Sequence, residues 1–99
     1  MSVKLKTLCT AQGVGSSASV AMDTTPSMAK HSAVAVIQPS TGFDRTANIE
    51  KSEDGGSSWT TVATHNAATL KLVEVQLSAL MRVTVAGGAT GTVSVDLIV

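Results

Sequence analysis

Apolar and polar residues alternate along much of this chain, and the alternation is cleanest near its C-terminal end. Met81, Val83 and Val85 alternate with Arg82 and Thr84. After the break Gly87-Gly88-Ala89-Thr90-Gly91, the residues Val93, Val95, Leu97 and Val99 alternate with Ser94 and Asp96. A helix returns a side chain to the same face about every 3.6 residues, whereas a strand does so every two. Both runs therefore predict strands, with Val83, Val85, Val93, Val95 and Leu97 facing the core, and the glycine-rich break between them reads as a hairpin loop.

The same period, less cleanly kept, predicts strands over residues 3–10, 17–22, 31–38, 46–52, 59–64 and 70–77. In the last of these, Leu70 and Leu72 lie out of phase with Val73, Val75 and Leu77. A β-bulge near Leu72 would bring both phases onto one face. A helix over residues 67–80 is the alternative, and Val73, Val75 and the alternation argue against it. Seven to eight short strands, punctuated by turn residues, predict an all-β fold: a small antiparallel β-sandwich of jelly-roll or immunoglobulin-like type, forming a single domain over residues 1–99.

Composition adds a constraint on stability. The chain has 99 residues and is 43% hydrophobic, yet it has one Phe, one Trp and no Tyr. Its core must be built from Val, Leu, Ile, Met and Ala, and small side chains bury little area each at about 25 cal/mol per Å². Such a domain has little stability to spare, which favours a setting where neighbours support it. Charge is balanced at seven basic and seven acidic residues, spread singly. No basic run suggests a nucleic-acid partner, and no apolar stretch approaches the ~18 residues of a membrane span. The N-terminus MSVKLKTLCTA makes a poor signal core, so export by a secretion pathway is not expected. The single Cys9 excludes an internal disulfide and a cysteine-rich zinc site, and its apolar surroundings predict a buried, inert thiol.

Candidate chemistry concentrates in SEDGGSSW, residues 52–59, which holds the only Trp. A glycosidase reading needs two carboxylates flanking a cleft, about 5–5.5 Å apart in a retaining enzyme. Glu50, Glu53, Asp54, Glu74 and Asp96 are the available acids, but a sandwich this small offers little cleft. The turn reading explains every residue without a substrate. Asp54 can accept hydrogen bonds from backbone N–H groups of its own turn. Gly55 and Gly56 can take positive φ, and Trp59 can cover the base of the returning strand. Ser52, Asp54, Gly55, Gly56 and Trp59 are accordingly assigned a structural role.

The remaining constellations are thinner. His31 and His65 have no metal-ligand spacing, so no metal is expected. No GxSxG elbow accompanies the many serines, and Gly13-Val14-Gly15 lacks the further glycine and lysine of a phosphate loop. Asp44 and Arg45 read as a solvated or locally paired turn. Arg82 lies on the outward face of a good strand, so Arg82 and Arg45 are possible interface anchors, together with the loops 13–18, 23–30 and 87–91. No catalytic residue and no cofactor is expected.

Two resemblances extend this reading. SEDGGSSW follows Ser-x-Asp-x-Gly-x-Ser-Trp and so resembles the Asp-box of sialidases and other β-propellers, where the motif implies a structural turn away from the catalytic centre. Those enzymes also use three arginines and a Tyr nucleophile, whereas this chain has only Arg45 and Arg82 and no Tyr. Over residues 31–99, the succession of the DGGSSW hairpin, LKLVEVQL and LMRVTVAGGATGTVSVDLIV is similar to the small β-sandwich proteins of tailed-bacteriophage virions. That likeness implies a non-enzymatic structural protein of the particle, made in the host cytoplasm and located in the virion. The expected role is capsid decoration, with the major capsid protein or other virion proteins as partners and several copies or a homo-oligomer as the working form. A carbohydrate- or receptor-binding module of a tail or fibre is the alternative.

Overall fold

A computed structural model describes residues 4–17, 20–21, 32–76 and 80–98. Nine strand segments follow in order: β1 (Lys4–Gln12), β2 (Gly15–Ser16), β3 (Val20–Ala21), β4 (Ser32–Pro39), β5 (Thr46–Ser52), β6 (Thr60–His65), β7 (Lys71–Gln76), β8 (Leu80–Ala86) and β9 (Val93–Ile98). No helix occurs among the described residues. β2 and β3 both pair with β8 and act as two pieces of one interrupted edge.

The topology is a long antiparallel hairpin rolled on itself. β5 and β6 pair beside the 53–59 turn, and working outward β4 pairs with β7, β2 and β3 with β8, and β1 with β9. Rolling adds the contacts β4–β9 and β5–β8. The result is one sheet of order β1-β9-β4-β7 facing a second of order β2-β8-β5-β6, with β3 alongside β2 on β8. This is the winding of a jelly roll, and it places SEDGGSSW at the tip of the central hairpin.

The core lies between the sheets. Val83, Val85, Val93, Val95 and Leu97 are all at most 1% exposed, as the alternation predicts. Their neighbours are Ala33, Ala35 and Ile37 of β4 and Ala47 and Ile49 of β5. Five of the fifteen buried hydrophobic residues are valines and three are alanines, so the core is as thin as the composition implies.

Two expectations are corrected. Residues 87–91 do not close a hairpin: β8 and β9 belong to different sheets, and the loop carries the chain across the core. Their inward faces meet front to front, which produces the same alternation as strands lying side by side. Nor does β7 contain a bulge near Leu72. Its register with β4 runs unbroken from Ile37↔Lys71 to Ser32↔Gln76, so Leu70 and Leu72 stay outside, each 61% exposed. The bulge lies in β6 instead, where the partners of Ile49 and Glu50 are Ala63 and Thr61 and Val62 is the extra residue. Among the predicted loops, residues 23–30 lie outside the described part, as do His31, Leu77 and Val99.

Candidate functional site

The tip of the central hairpin is held by its own side chains. Ser52, 1% exposed at the end of β5, donates its hydroxyl to Asp54 Oδ1 at 2.8 Å and accepts the Gly56 N–H at 2.9 Å. Asp54 Oδ1 also accepts the Ser58 N–H at 2.9 Å, while its Oδ2 accepts the Ser58 hydroxyl. The Ser58 hydroxyl and N–H, followed by the Ser52 hydroxyl, hold the Asp54 acid down at about 2. Gly55 and Gly56 take φ of 76° and 97°, a region that L-residues disfavour. A Cβ on Gly56 would meet Leu80 and Trp59 at ordinary distances of 3.7 and 3.8 Å, so backbone conformation rather than space calls for glycine there.

Trp59 closes this turn and opens onto the outer face of the second sheet. Its indole N–H donates to Gly56 O at 3.1 Å. The Arg82 guanidinium carbon lies 4.2 Å from the centroid of the Trp59 ring, within cation–π range. Arg82 Nε donates to Glu50 Oε1 at 2.7 Å, and the Thr84 hydroxyl donates to the same oxygen at 2.7 Å. The pairing Glu50↔Arg82 in the β5–β8 ladder sets these side chains side by side. Farther along the face, Thr64 donates to Asn48 at 2.8 Å. Arg82 is thus outward-facing as predicted, and its guanidinium is engaged within the chain.

At the opposite end of β5, the crossover loop is clamped in a similar way. Asp44 Oδ1 accepts the N–H groups of Ala89 and Thr90, both at 2.9 Å, and the Thr90 and Ala89 bonds hold its carboxyl below the ordinary carboxylate pKa. Arg45 donates from Nε to Gly91 O at 3.2 Å and from Nη1 to Gly87 O at 3.1 Å. Beneath the loop, Phe43 is 3% exposed and packs against Gly91, so it offers no ring to solvent.

These arrangements bind the fold and assemble no nucleophile–base pair. The two hydroxyls nearest Asp54 both donate to it, and a carboxyl held at about 2 is a weak base. His65 is buried at the far end of β6, with Nε2–H donating to Thr69 O at 2.6 Å. Cys9 is buried in the core, and burial pushes its thiol up to about 11, far from the thiolate form that reacts. Among the described residues, no three of His, Cys, Asp and Glu are grouped to hold a metal ion.

Comparisons with protein families, with curated proteins and with solved structures find no match for this chain.

Residue by residue, the structure brings Ser52, Asp54, Gly56 and Trp59 together as the sequence predicts and adds Ser58 to them. Arg82 joins that end of the sandwich, and Arg45 belongs to the other. Glu50, Thr84 and the Asp44 clamp were not singled out for these contacts. They lie 32 or more residues from their partners, and the one signal for them is the cross-strand register.

Proposed function

We propose that this chain is a non-enzymatic structural protein of a bacteriophage virion, acting as a capsid decoration protein present in many copies on the head. The observation that carries the reading is where the polar chemistry goes. Asp54, Trp59, Arg82, Asp44 and Arg45, the residues that could have formed a site, all make their bonds within the chain and stiffen its two ends. What remains outward among the described residues is surface: polar sheet faces, short loops and the exposed Val14, Leu70 and Leu72. A thin-cored sandwich with rigid ends suits a clamp laid over other proteins, since binding that excludes the unfolded form adds stability by mass action.

The test is to delete or strip the protein from particles and measure their rupture on heating or at low salt. Particles lacking it should rupture at lower temperature, and re-adding purified protein should restore resistance. Equal resistance with and without the protein would refute the decoration role.

Glycan adhesion is favoured by one specific feature, the half-buried Trp59 stacked on Arg82 on a sheet face that also carries Asn48, Thr64 and Thr84. A glycan array read by Trp59 fluorescence separates the two roles: adhesion requires saturable binding lost in Trp59→Ala, and decoration requires none.

A further inference from the structure

Asp54 is the one Asp or Asn of the chain that is followed by Gly. The N–H of the residue after an Asp can attack the side-chain carboxyl, and Gly, which has no Cβ, leaves the approach open. The reaction balances with water alone. The Gly55 nitrogen bonds to Asp54 Cγ, the acid's hydroxyl departs with the amide proton as water, and a five-membered succinimide ring closes. Water then opens the ring. Attack at Cγ returns aspartate, whereas attack at the main-chain carbonyl gives isoaspartate, whose backbone runs through Cβ and Cγ.

The folded turn supplies part of what this reaction needs and withholds the rest. Asp54 and Gly55 are both exposed, so water reaches them. The N–H groups of Asp54, Gly56 and Ser58 donate to side-chain oxygens of Ser52 or Asp54, and that of Gly55 takes part in none of these bonds. What the turn withholds is a mobile, neutral carboxyl. Oδ1 accepts from the Ser52 hydroxyl and the Ser58 N–H, and Oδ2 accepts from the Ser58 hydroxyl, so the carboxyl cannot rotate without breaking them. The Ser58 hydroxyl first, then the Ser58 N–H and the Ser52 hydroxyl, also hold the acid at about 2 against the ordinary 3.8. At mildly acidic and neutral pH the neutral form, whose hydroxyl can leave, is therefore scarcer by roughly tenfold or more.

We infer that the Asp54-Gly55 bond is a latent modification site, kept as aspartate by the clamp of Ser52 and Ser58 and converted to isoaspartate when that clamp loosens. The product does not refit the turn. Its extra backbone carbon shifts the Gly56 N–H away from the Ser52 hydroxyl. Its free carboxylate sits directly on Cα, one carbon short of the reach that the Ser58 bonds require. Conversion therefore leaves the tip of the central hairpin unclamped. The inference uses only the turn's own bonds and stands apart from the virion reading.

The test uses the full chain, folded or unfolded in guanidinium chloride, incubated in water enriched in heavy oxygen. Each ring opening incorporates a heavy oxygen, and electron-transfer fragmentation of the tryptic peptide 52–71 identifies isoaspartate at position 54. The unfolded chain should convert there, and the folded wild type at least about tenfold more slowly. Ser58→Ala, with folding checked by circular dichroism, should convert several-fold faster than the folded wild type, and Ser58→Thr should restore protection. The pH profile needs no variant. In the unfolded chain conversion should level off below about 4, while in the folded chain it should still be climbing at about 3. The purified isoaspartyl chain should melt below the wild type. Folded wild type that converts as fast as the unfolded chain, an unfolded chain without isoaspartate at position 54, folded Ser58→Ala as slow as wild type, superimposable pH profiles, or an isoaspartyl chain of unchanged Tm overturns the inference.

Discussion

Replacing Gly91 by Ala tests whether the crossover loop is locked onto the core. Gly91 has φ of +103°, and a Cβ there would lie 2.6 Å from Phe43 Cα and 3.0 Å from Phe43 Cβ and Cδ1. The nearest of these is backbone, so no rotamer change relieves it. Holding an L-residue at this φ costs about 1–3 kcal/mol, and overpacking a filled site costs about 1–3 kcal/mol more. The sum, about 2–6 kcal/mol, is a large share of the ~5–15 kcal/mol available to a small domain. It corresponds to a fall in Tm of at least about 8 °C at this chain length. Gly87 is the control, with φ of +73° and nothing within 4 Å of a Cβ. Gly87→Ala carries only the left-handed backbone cost of about 1–2 kcal/mol. Urea and thermal denaturation of both variants gives the comparison. Equal destabilisation of Gly91→Ala and Gly87→Ala would refute the claim that the loop is seated on Phe43.

Other perturbations probe the turn, the sheet face and the core. Because the Asp54 acid is held at about 2 against an ordinary 3.8, its contribution is complete above about 4 and is lost as pH falls through 2. The Tm of the wild type should therefore drop across that window, and Asp54→Asn should flatten the drop; an unchanged slope would contradict the assignment. Glu50 and Arg82 are only 16% and 26% exposed in their side chains, so a double-mutant cycle to Ala should give a coupling of about 1 kcal/mol, and zero coupling would mean that the contact does not persist in solution. Trp59 emission should be blue-shifted from free indole, with iodide quenching rising in Arg82→Ala, since the guanidinium covers one side of the ring. Ile49→Ala, at a fully buried position, should cost about 2–5 kcal/mol; less than ~1 kcal/mol would mean that the core has collapsed around the gap.

What the sequence reveals here depends on how far apart the interacting residues lie. The turn is legible because Ser52, Asp54, Gly56, Ser58 and Trp59 form their bonds within four positions of one another. The inward faces of β8 and β9 are legible for a related reason, since a period of two is a property of each strand alone. Partnership is not such a property. Nothing in Val83 or Val95 tells whether the two strands lie side by side or front to front, and the loop between them is fixed by Asp44, 45 residues back from Ala89. Glu50 and Arg82 likewise need the β5–β8 register before they become a pair.

Leu72 is a different kind of failure. A bulge was expected there because burying Leu70 and Leu72 is the ordinary use of leucine in a strand, and a one-residue offset would have achieved it. The unbroken β4–β7 ladder leaves both side chains outside instead. Among the described residues β7 is the last strand of its sheet, so Leu72 has β4 beside it on one side. A side chain so exposed adds little to the fold, so Leu72→Lys should change stability by no more than about 0.5 kcal/mol in urea denaturation, and a larger loss would mean that Leu72 packs against the chain in solution.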